Sequence, residues 1–308
     1  MAGSQLVEVD GRELSVTNLD KVMYPATGFT KGEVIDYYAR IAPTLIPHLR
    51  GRPLTLKRYP EGVDAGHFFE KRCPKHRPEW VPTAAIWSER EDGEIGFCVC
   101  DDKPTLVWMA QLASLELHPS LSRAKHMERP TVLAFDLDPG EPANVIDCAG
   151  VALRVRELFG DLGVECFPKA SGGKGLQVYV PLNGRTTYKT TKPYAQAVAQ
   201  LLERMHPDGI VSRMTKRLRK GKVFVDWSQN TESKTTVAVY SLRARERPTV
   251  SAPLDWDEVA TAAESGDPEP LRFEAAELLE RVEERGDLFA PVLELKQKLP
   301  GLGALEGE

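Results

Sequence analysis

A chain of 308 residues with 42% hydrophobic and 28% charged residues can bury a full core and is neither a disordered nor a fibrous composition. No stretch approaches the roughly 20 apolar residues of a spanning helix, and the start, MAGSQLVEVDGREL, has no basic segment followed by an apolar run; no membrane partner is expected, and a cytoplasmic, nucleoid-associated location is. The net charge of −5 conceals an asymmetry: residues 251–308 hold 15 acidic and 5 basic residues, leaving 30 acidic and 35 basic in 1–250, a body whose balance of +5 suits a polyanionic partner.

Thr30 and Glu33 form a capping-box pattern, and Val34, Ile35, Tyr38, Ile41, Ala42 and Leu45 follow at helical spacing, so a helix is predicted from Lys31. Pro104 suits the first turn of a second helix, which the spacing of Leu106, Met109, Leu112, Ala113 and Glu116 carries to His118. Strands are predicted over 131–137, 166–170 and 176–182, with a crossover helix over 144–162 between the first two. A helix over 192–205, strands over 222–227 and 235–241, helices over 270–298 and a frayed tail over 301–308 complete the chain. This mixture without strict alternation predicts an α/β or α+β fold, a central mixed or antiparallel sheet flanked by helices. One domain over 1–300 is expected: an N-terminal DNA-contacting part (1–125), a catalytic part (126–250) and an acidic helical part (251–300).

The five cysteines are an odd number in a chain too long to depend on disulfides and are read as reduced. Cys73, His76, Cys98 and Cys100 offer a tetrahedral donor set, but the C-x-C spacing is tight and neither half is a recognised knuckle; they are read as packed cysteines rather than a zinc site.

The apolar run TVLAFDL ends in Asp136-Leu137-Asp138, which places both carboxylates on one face of a strand and Leu137 on the other. Carboxylates this close repel unless a cation lies between them. Asp-Pro-Gly alone would be a turn, but a third carboxylate, Asp226, closes the strand Val223-Phe224-Val225. Three aspartates from two strands suit two Mg²⁺ or Mn²⁺ ions about 3.5–4 Å apart, the arrangement for in-line phosphoryl transfer.

Ser171-Gly172-Gly173-Lys174-Gly175 lies between two strands and reads either as a phosphate cradle or as a flexible hairpin tip; it is not a P-loop. Five cations in seven residues, Lys216, Arg217, Arg219, Lys220 and Lys222, precede Asp226, and Arg243 follows the next strand; both could reach a triphosphate. Phe68 and Phe69 suit base stacking, one of them equally suiting the core; Lys57 and Arg58 suit phosphates, and His118 is a functional imidazole or a helix cap.

Taken together, these segments resemble the polymerase domain of bacterial DNA ligase D, a branch of the archaeo-eukaryotic primase superfamily. The resemblance spans nearly the whole chain, through TNLDKVMYP (17–25), GRP (51–53), FFEK (68–71), LELH (115–118), FDLDPG (135–140), SGGKG (171–175), KVFVDWSQN (222–230), SKTT (233–236) and YSLRAR (240–245). It implies a primase-polymerase fold in which Asp136, Asp138 and Asp226 ligate two metals, Mn²⁺ often preferred. Lys57, His118, Ser171, Lys174, Arg219 and Arg243 would hold the incoming NTP or dNTP. Asn18, Lys21 and Lys31 would recognise a 5′-phosphate on the downstream strand, and Phe68 and Phe69 would stack near the template. Such enzymes favour ribonucleotides and fill short gaps during end joining with Ku. One departure stands out: Gln177 occupies a place where the family commonly has His, which implies altered nucleotide handling rather than inactivity. The chain stops before any ligase or nuclease module, as a stand-alone polymerase or an excised domain would.

The function expected is therefore a repair polymerase that extends a primer at gaps, overhangs or breaks carrying a 5′-phosphate, in concert with Ku and a separate ligase. A primer-synthesising primase and a non-catalytic end-binding module remain as alternatives.

Overall fold

A computed structural model describes residues 4–89 and 91–305. The chain divides into two compact units interleaved in sequence: Met1–Lys125, Thr235–Ser251 and Phe273–Asp287 form one; His126–Lys234, Ala252–Arg272 and Leu288–Glu308 form the other. The chain first passes between the units after Lys125, and Thr235–Ser251 and Phe273–Asp287 return to the first.

The first unit opens with the antiparallel hairpins β1 (Ser4–Val9) with β2 (Arg12–Thr17) and β3 (Val22–Tyr24) with β4 (Phe29–Thr30). Helix α1 (Lys31–Leu49) begins as predicted: the Thr30 hydroxyl accepts from the Glu33 N–H and the Glu33 carboxylate accepts from the Thr30 N–H. Its buried face carries Val34, Tyr37, Tyr38, Ile41, Ala42 and Leu45. An antiparallel sheet follows from β5 (Leu54–Arg58), β6 (Phe68–Glu70), β7 (Thr83–Ser88) and β8 (Gly93–Cys98), then α2 (Lys103–Gln111) and β9 (Ser114–Pro119), which pairs along β5.

Here the helix predicted to reach His118 is corrected. It ends at Gln111; Ala113 turns the chain at φ 58°, and residues 114–119 form a strand. Leu112, Leu115 and Glu116 fit helical spacing, but Leu115, Leu117 and the polar Glu116, His118 fit period two equally well. Pairing with β5, from Leu54 opposite Pro119 to Lys57 opposite Glu116, decides for the strand. The strand predicted over 235–241 is also absent: the segment is irregular, tied by bridges of Ser120 with Thr235 and Leu242 with Val250, with Tyr240 at φ 65°. Cys73 and Cys98 form a disulfide, which corrects the reading of both as free thiols and removes two sulfurs from the Cys73, His76, Cys98, Cys100 set; Cys100, Cys148 and Cys166 are free and buried.

The second unit is built on a five-stranded sheet. Its elements are β10 (Val132–Pro139), α3 (Val145–Asp161), β11 (Phe167–Ala170), β12 (Leu176–Pro181), α4 (Tyr188–Met205), β13 (Ile210–Val211), β14 (Val223–Asp226) and α5 (Trp256–Ser265). The strand order is β11-β12-β10-β14-β13, antiparallel except for β13 with β14, so the sheet is mixed and flanked by helices, as predicted. Capping boxes at Asn144 with Asp147 and Asp255 with Glu258 start α3 and α5; the second was legible in the sequence, and its helix was not predicted.

In the first unit, α6 (Ala275–Arg285) packs on α1; in the second, α7 (Pro291–Glu294) packs on β12. These two are the helices predicted over 270–298, separated from Gly286 onward. Of the tail predicted to fray, Leu302–Leu305 form a 3-10 turn with Leu305 buried, and 306–308 lie outside the described residues. Among the described residues no helix is long and apolar enough to cross a membrane.

Candidate active site

Side chains of β10 alternate between two faces of the second unit's sheet. Phe135 and Leu137 are buried on one; Phe135 meets Phe159 of α3 at 5.8 Å between ring centroids, and Phe159 meets Tyr194 of α4 at 6.5 Å, so both helices cover that face. Asp136 and Asp138 project to the other. Register places Asp226 of β14 directly opposite Asp136, and Phe224 opposite Asp138, so the third carboxylate joins the first two on one face.

The row continues across the sheet. Gln177 of β12 stands opposite Asp136 on its other flank, and Lys169 of β11 opposite Gln177, so Lys169, Gln177, Asp136 and Asp226 run side by side over four strands. The Gln177 amide donates to Asp136 Oδ1 at 3.0 Å. Burial, then the charges of Asp138 and Asp226, push the Asp136 carboxyl up to about 7, opposed by the Gln177 hydrogen bond and the charge of Lys169. Lys169 is fully buried, its ammonium 5.5 Å from the Tyr179 ring centroid. Sequence reading missed Lys169; a lysine inside the strand Phe167–Ala170, two residues before Ser171, was the available signal.

Asp226 is held by its own turn. Its Oδ1 accepts from the Ser228 N–H at 2.8 Å and the Ser228 hydroxyl at 2.5 Å, and its Oδ2 from the Gln229 amide at 3.0 Å. Among the described residues no group of three His, Cys, Asp or Glu is arranged as it stands to hold a metal ion. The donor chemistry nonetheless fits a divalent cation: three carboxylates share one sheet face, and burial, with the charges of the other two, raises Asp136.

Two flanking elements approach β10 through glycine. A Cβ on Gly175 would sit 2.0 Å from the Leu137 carbonyl oxygen, and one on Gly140 1.9 Å from that of Arg219. The 171–175 loop is thus docked between the two aspartates' strand positions. Within it, the Ser171 hydroxyl accepts from the N–H of Gly173 at 3.2 Å and of Gly175 at 3.3 Å, so these two amides serve the loop itself; Lys174 pairs with exposed Glu141 at 3.0 Å. The Gly140 N–H donates to Lys222 and the Gly221 N–H to Gly140, anchoring the basic segment beside the acidic face. Arg219 lies 3.7 Å over the Phe224 ring and donates to the Met214 carbonyl.

The remaining predicted residues lie in the first unit, in two groups. Lys57 of β5 pairs in register with Glu116 of β9, whose next same-face neighbour is His118; Arg243 reaches the same carboxylate from the irregular segment. Tyrosine hydroxyls hold that segment where a strand was expected: Tyr24 donates to the Arg243 carbonyl, Tyr37 to that of Tyr240, and Tyr38 accepts from the Leu242 N–H. Phe68 and Phe69 of β6 are both exposed, so neither is core; Phe69 lies 6.0 Å from the His118 ring and 5.5 Å from the Lys57 ammonium, and Phe68 is covered by Arg58. Glu116 is a further residue that sequence reading passed over.

The second group is the turn before α1. Asn18 adopts φ 56°, and its carbonyl accepts from the Lys21 N–H, whose own carbonyl accepts from the Lys31 N–H. Lys21 pairs with Glu61 at 2.6 Å, and Lys31 donates to the Thr17 carbonyl at 2.9 Å. The three residues are therefore brought together. Burial, then the charges of Lys21 and Arg58, lower the Lys31 ammonium to about 8.

Residues 30–289 match the family model of the LigD primase-polymerase domain. The chain is 44% identical over 279 residues to the multifunctional non-homologous end joining protein LigD of Mycolicibacterium smegmatis, covering 90% of this chain and 36% of that protein. It is 31% identical over 278 residues to the bifunctional LigD of Bacillus subtilis, covering 90% and 44%. The chain therefore spans less than half the length of these relatives. Among solved structures, the polymerase domain of Mycobacterium tuberculosis ligase D in complex with DNA superposes with a TM-score of 0.84 at 41% identity, covering 92% of this chain and 99% of that one.

Proposed function

The chain belongs to the LigD primase-polymerase domain family, and from that membership we propose that it is a metal-dependent nucleotidyltransferase which adds ribo- or deoxyribonucleotides to a primer 3′ end at gaps or breaks in DNA. The observation that carries the reading is the pairing of Asp136 with Asp226 on the sheet face that also bears Asp138. These three carboxylates would hold two Mn²⁺ or Mg²⁺ ions. When bound, such ions acidify the primer hydroxyl and neutralise charge on the triphosphate.

The chain's own residues prepare that chemistry. Gln177 orients Asp136 through its amide, and Ser228 and Gln229 orient Asp226, so the two carboxylates are fixed before a substrate arrives. Ser171, Lys174 and Arg219 flank the same face and would carry phosphate oxygens, with Lys174 exchanging Glu141 for the anion. In the first unit, Lys57, His118 and Arg243 form a cationic set suited to the triphosphate, and Phe68 and Phe69 present exposed rings for a base. Asn18, Lys21 and Lys31 would take the 5′-phosphate of the downstream strand. Ku and a separate ligase are proposed partners on the end-joining role in the relatives' names.

The test is single-nucleotide incorporation on a gapped duplex, with and without a 5′-phosphate, comparing rNTP with dNTP in Mn²⁺ and Mg²⁺, for the wild type and Asp136→Ala. Extension that needs Asp136 and rises with the 5′-phosphate is the expected result. Phosphate-dependent binding with no extension would establish an end-binding module instead, and extension on a primer-free template would establish a primase.

A further inference from the structure

Lys57, His118 and Arg243 come from three chain segments of the first unit, and one side chain touches all three. Glu116 is 2% exposed. Its Oε2 lies 2.9 Å from His118 Nε2; its Oε1 lies 3.5 Å from Lys57 Nζ and 3.4 Å from Arg243 Nε, and accepts the Ala244 N–H at 3.1 Å. Burial works against ionisation here, yet the hydrogen bond from His118 and the charges of Arg243, His118 and Lys57 hold this carboxyl well below the usual range.

A carboxylate buried in a strand is costly unless fully partnered, and breaking such a set by removing one member leaves an uncompensated charge. Glu116 has one contact with each of the three side chains and a fourth with the backbone next to Arg243. It therefore does two things at once. It offsets one positive charge, so Lys57 and Arg243 can converge beside the His118 imidazole without a ligand, and it ties an irregular segment to the β5–β9 ladder. The set stays net positive, which suits an anion of several charges.

We propose that Glu116 is a positioning residue for the nucleotide, holding Lys57, His118 and Arg243 as one preorganised cationic set for the triphosphate. This rests on the polymerase reading given above. Glu116 need not touch the substrate; it acts through the three residues that do.

The experiment compares wild type, E116Q, R243A and the E116Q/R243A double variant. Thermal melting checks folding, titration with ATP and dATP reads binding, and steady-state single-nucleotide addition on a gapped duplex separates KM from kcat. The amide of E116Q keeps the volume and one acceptor oxygen, removes the charge and turns the other acceptor into a donor. E116Q is expected to weaken nucleotide binding and raise its KM about tenfold or more, with a smaller change in kcat. In the R243A background the same change is expected to cost about threefold or less, because the part of its effect that runs through Arg243 is already lost. An E116Q variant with wild-type nucleotide KM, or effects of the two substitutions that multiply fully, would overturn the proposal. If E116Q does not fold, E116D takes its place: it keeps the charge but is withdrawn from Arg243, and an unchanged KM there overturns the proposal equally. A wild type that neither binds nucleotide nor extends the primer removes the polymerase reading itself, an outcome seen before any variant is compared.

Discussion

Asp136 and Asp226 stand directly opposite one another across the antiparallel β10–β14 ladder, with Gln177 opposite Asp136 on the other flank. Like charges facing each other across strands destabilise a sheet. Their placement here is paid for in stability and makes sense as a place for cations, and the first expected outcomes follow from it.

In the metal-free protein, Asp136→Asn should stabilise, and more so at pH 8 than at pH 5. The folded-state carboxyl titrates at about 7, above the unfolded value of about 3.9, so the native state binds the extra proton between them. Stability is therefore lost as pH rises from about 4 to 7, and an asparagine escapes that loss. Melting in chelator should show a gain at pH 8 exceeding that at pH 5 by about 2 °C or more. Equal gains at both pH values would argue that Asp136 is not held against its neighbours' charge.

Asp226→Ala should reduce incorporation by about a hundredfold or more while leaving DNA binding within a few-fold of wild type. Single-turnover extension alongside a mobility-shift titration measures both. A folded variant that retains extension would exclude Asp226 as a metal ligand.

Gly175→Ala should lower both the melting temperature and incorporation, since the added methyl meets the Leu137 carbonyl oxygen at 2.0 Å. Backbone on both sides leaves no flexible side chain to give way, so the 171–175 loop must move off β10. Gly150→Ala, in α3 with nothing within 4 Å of the new methyl, is the control and should stabilise by about 0.5–1 kcal/mol. Near-normal melting and extension by Gly175→Ala would show that the loop's docking is dispensable.

Recognition of a 5′-phosphate should weaken between pH 7 and pH 9. Lys31 loses its proton near pH 8 because burial and neighbouring cations disfavour the charged form, and a neutral amine does not pair with a phosphate. In the unliganded fold the charged form carries a cost that is present below about pH 8 and gone above the unfolded value near 10.4. The affinity ratio of 5′-phosphorylated to 5′-hydroxyl gapped duplex should fall about tenfold across that pH range in wild type and stay level in Lys31→Met. An unchanged ratio in wild type would remove Lys31 from the phosphate site.

The sequence by itself determined what is local. Period-two alternation placed Asp136 and Asp138 on one face, the Thr30–Glu33 box started α1, and the strand ending at Asp226 was found within a residue at each end. The ordered motifs identified the family because they need only residue identity and spacing. Tertiary structure decided what depends on partners far along the chain. Residues 114–119 were ambiguous between helix and strand until β5 paired with them, and residues 235–241 form no strand, the Tyr240 carbonyl being taken by the Tyr37 hydroxyl. The row of Lys169, Gln177, Asp136 and Asp226, and the placing of Lys57 opposite Glu116, exist only through strand register. Register is fixed by the fit of whole faces against a common core, so no window of neighbouring residues contains it.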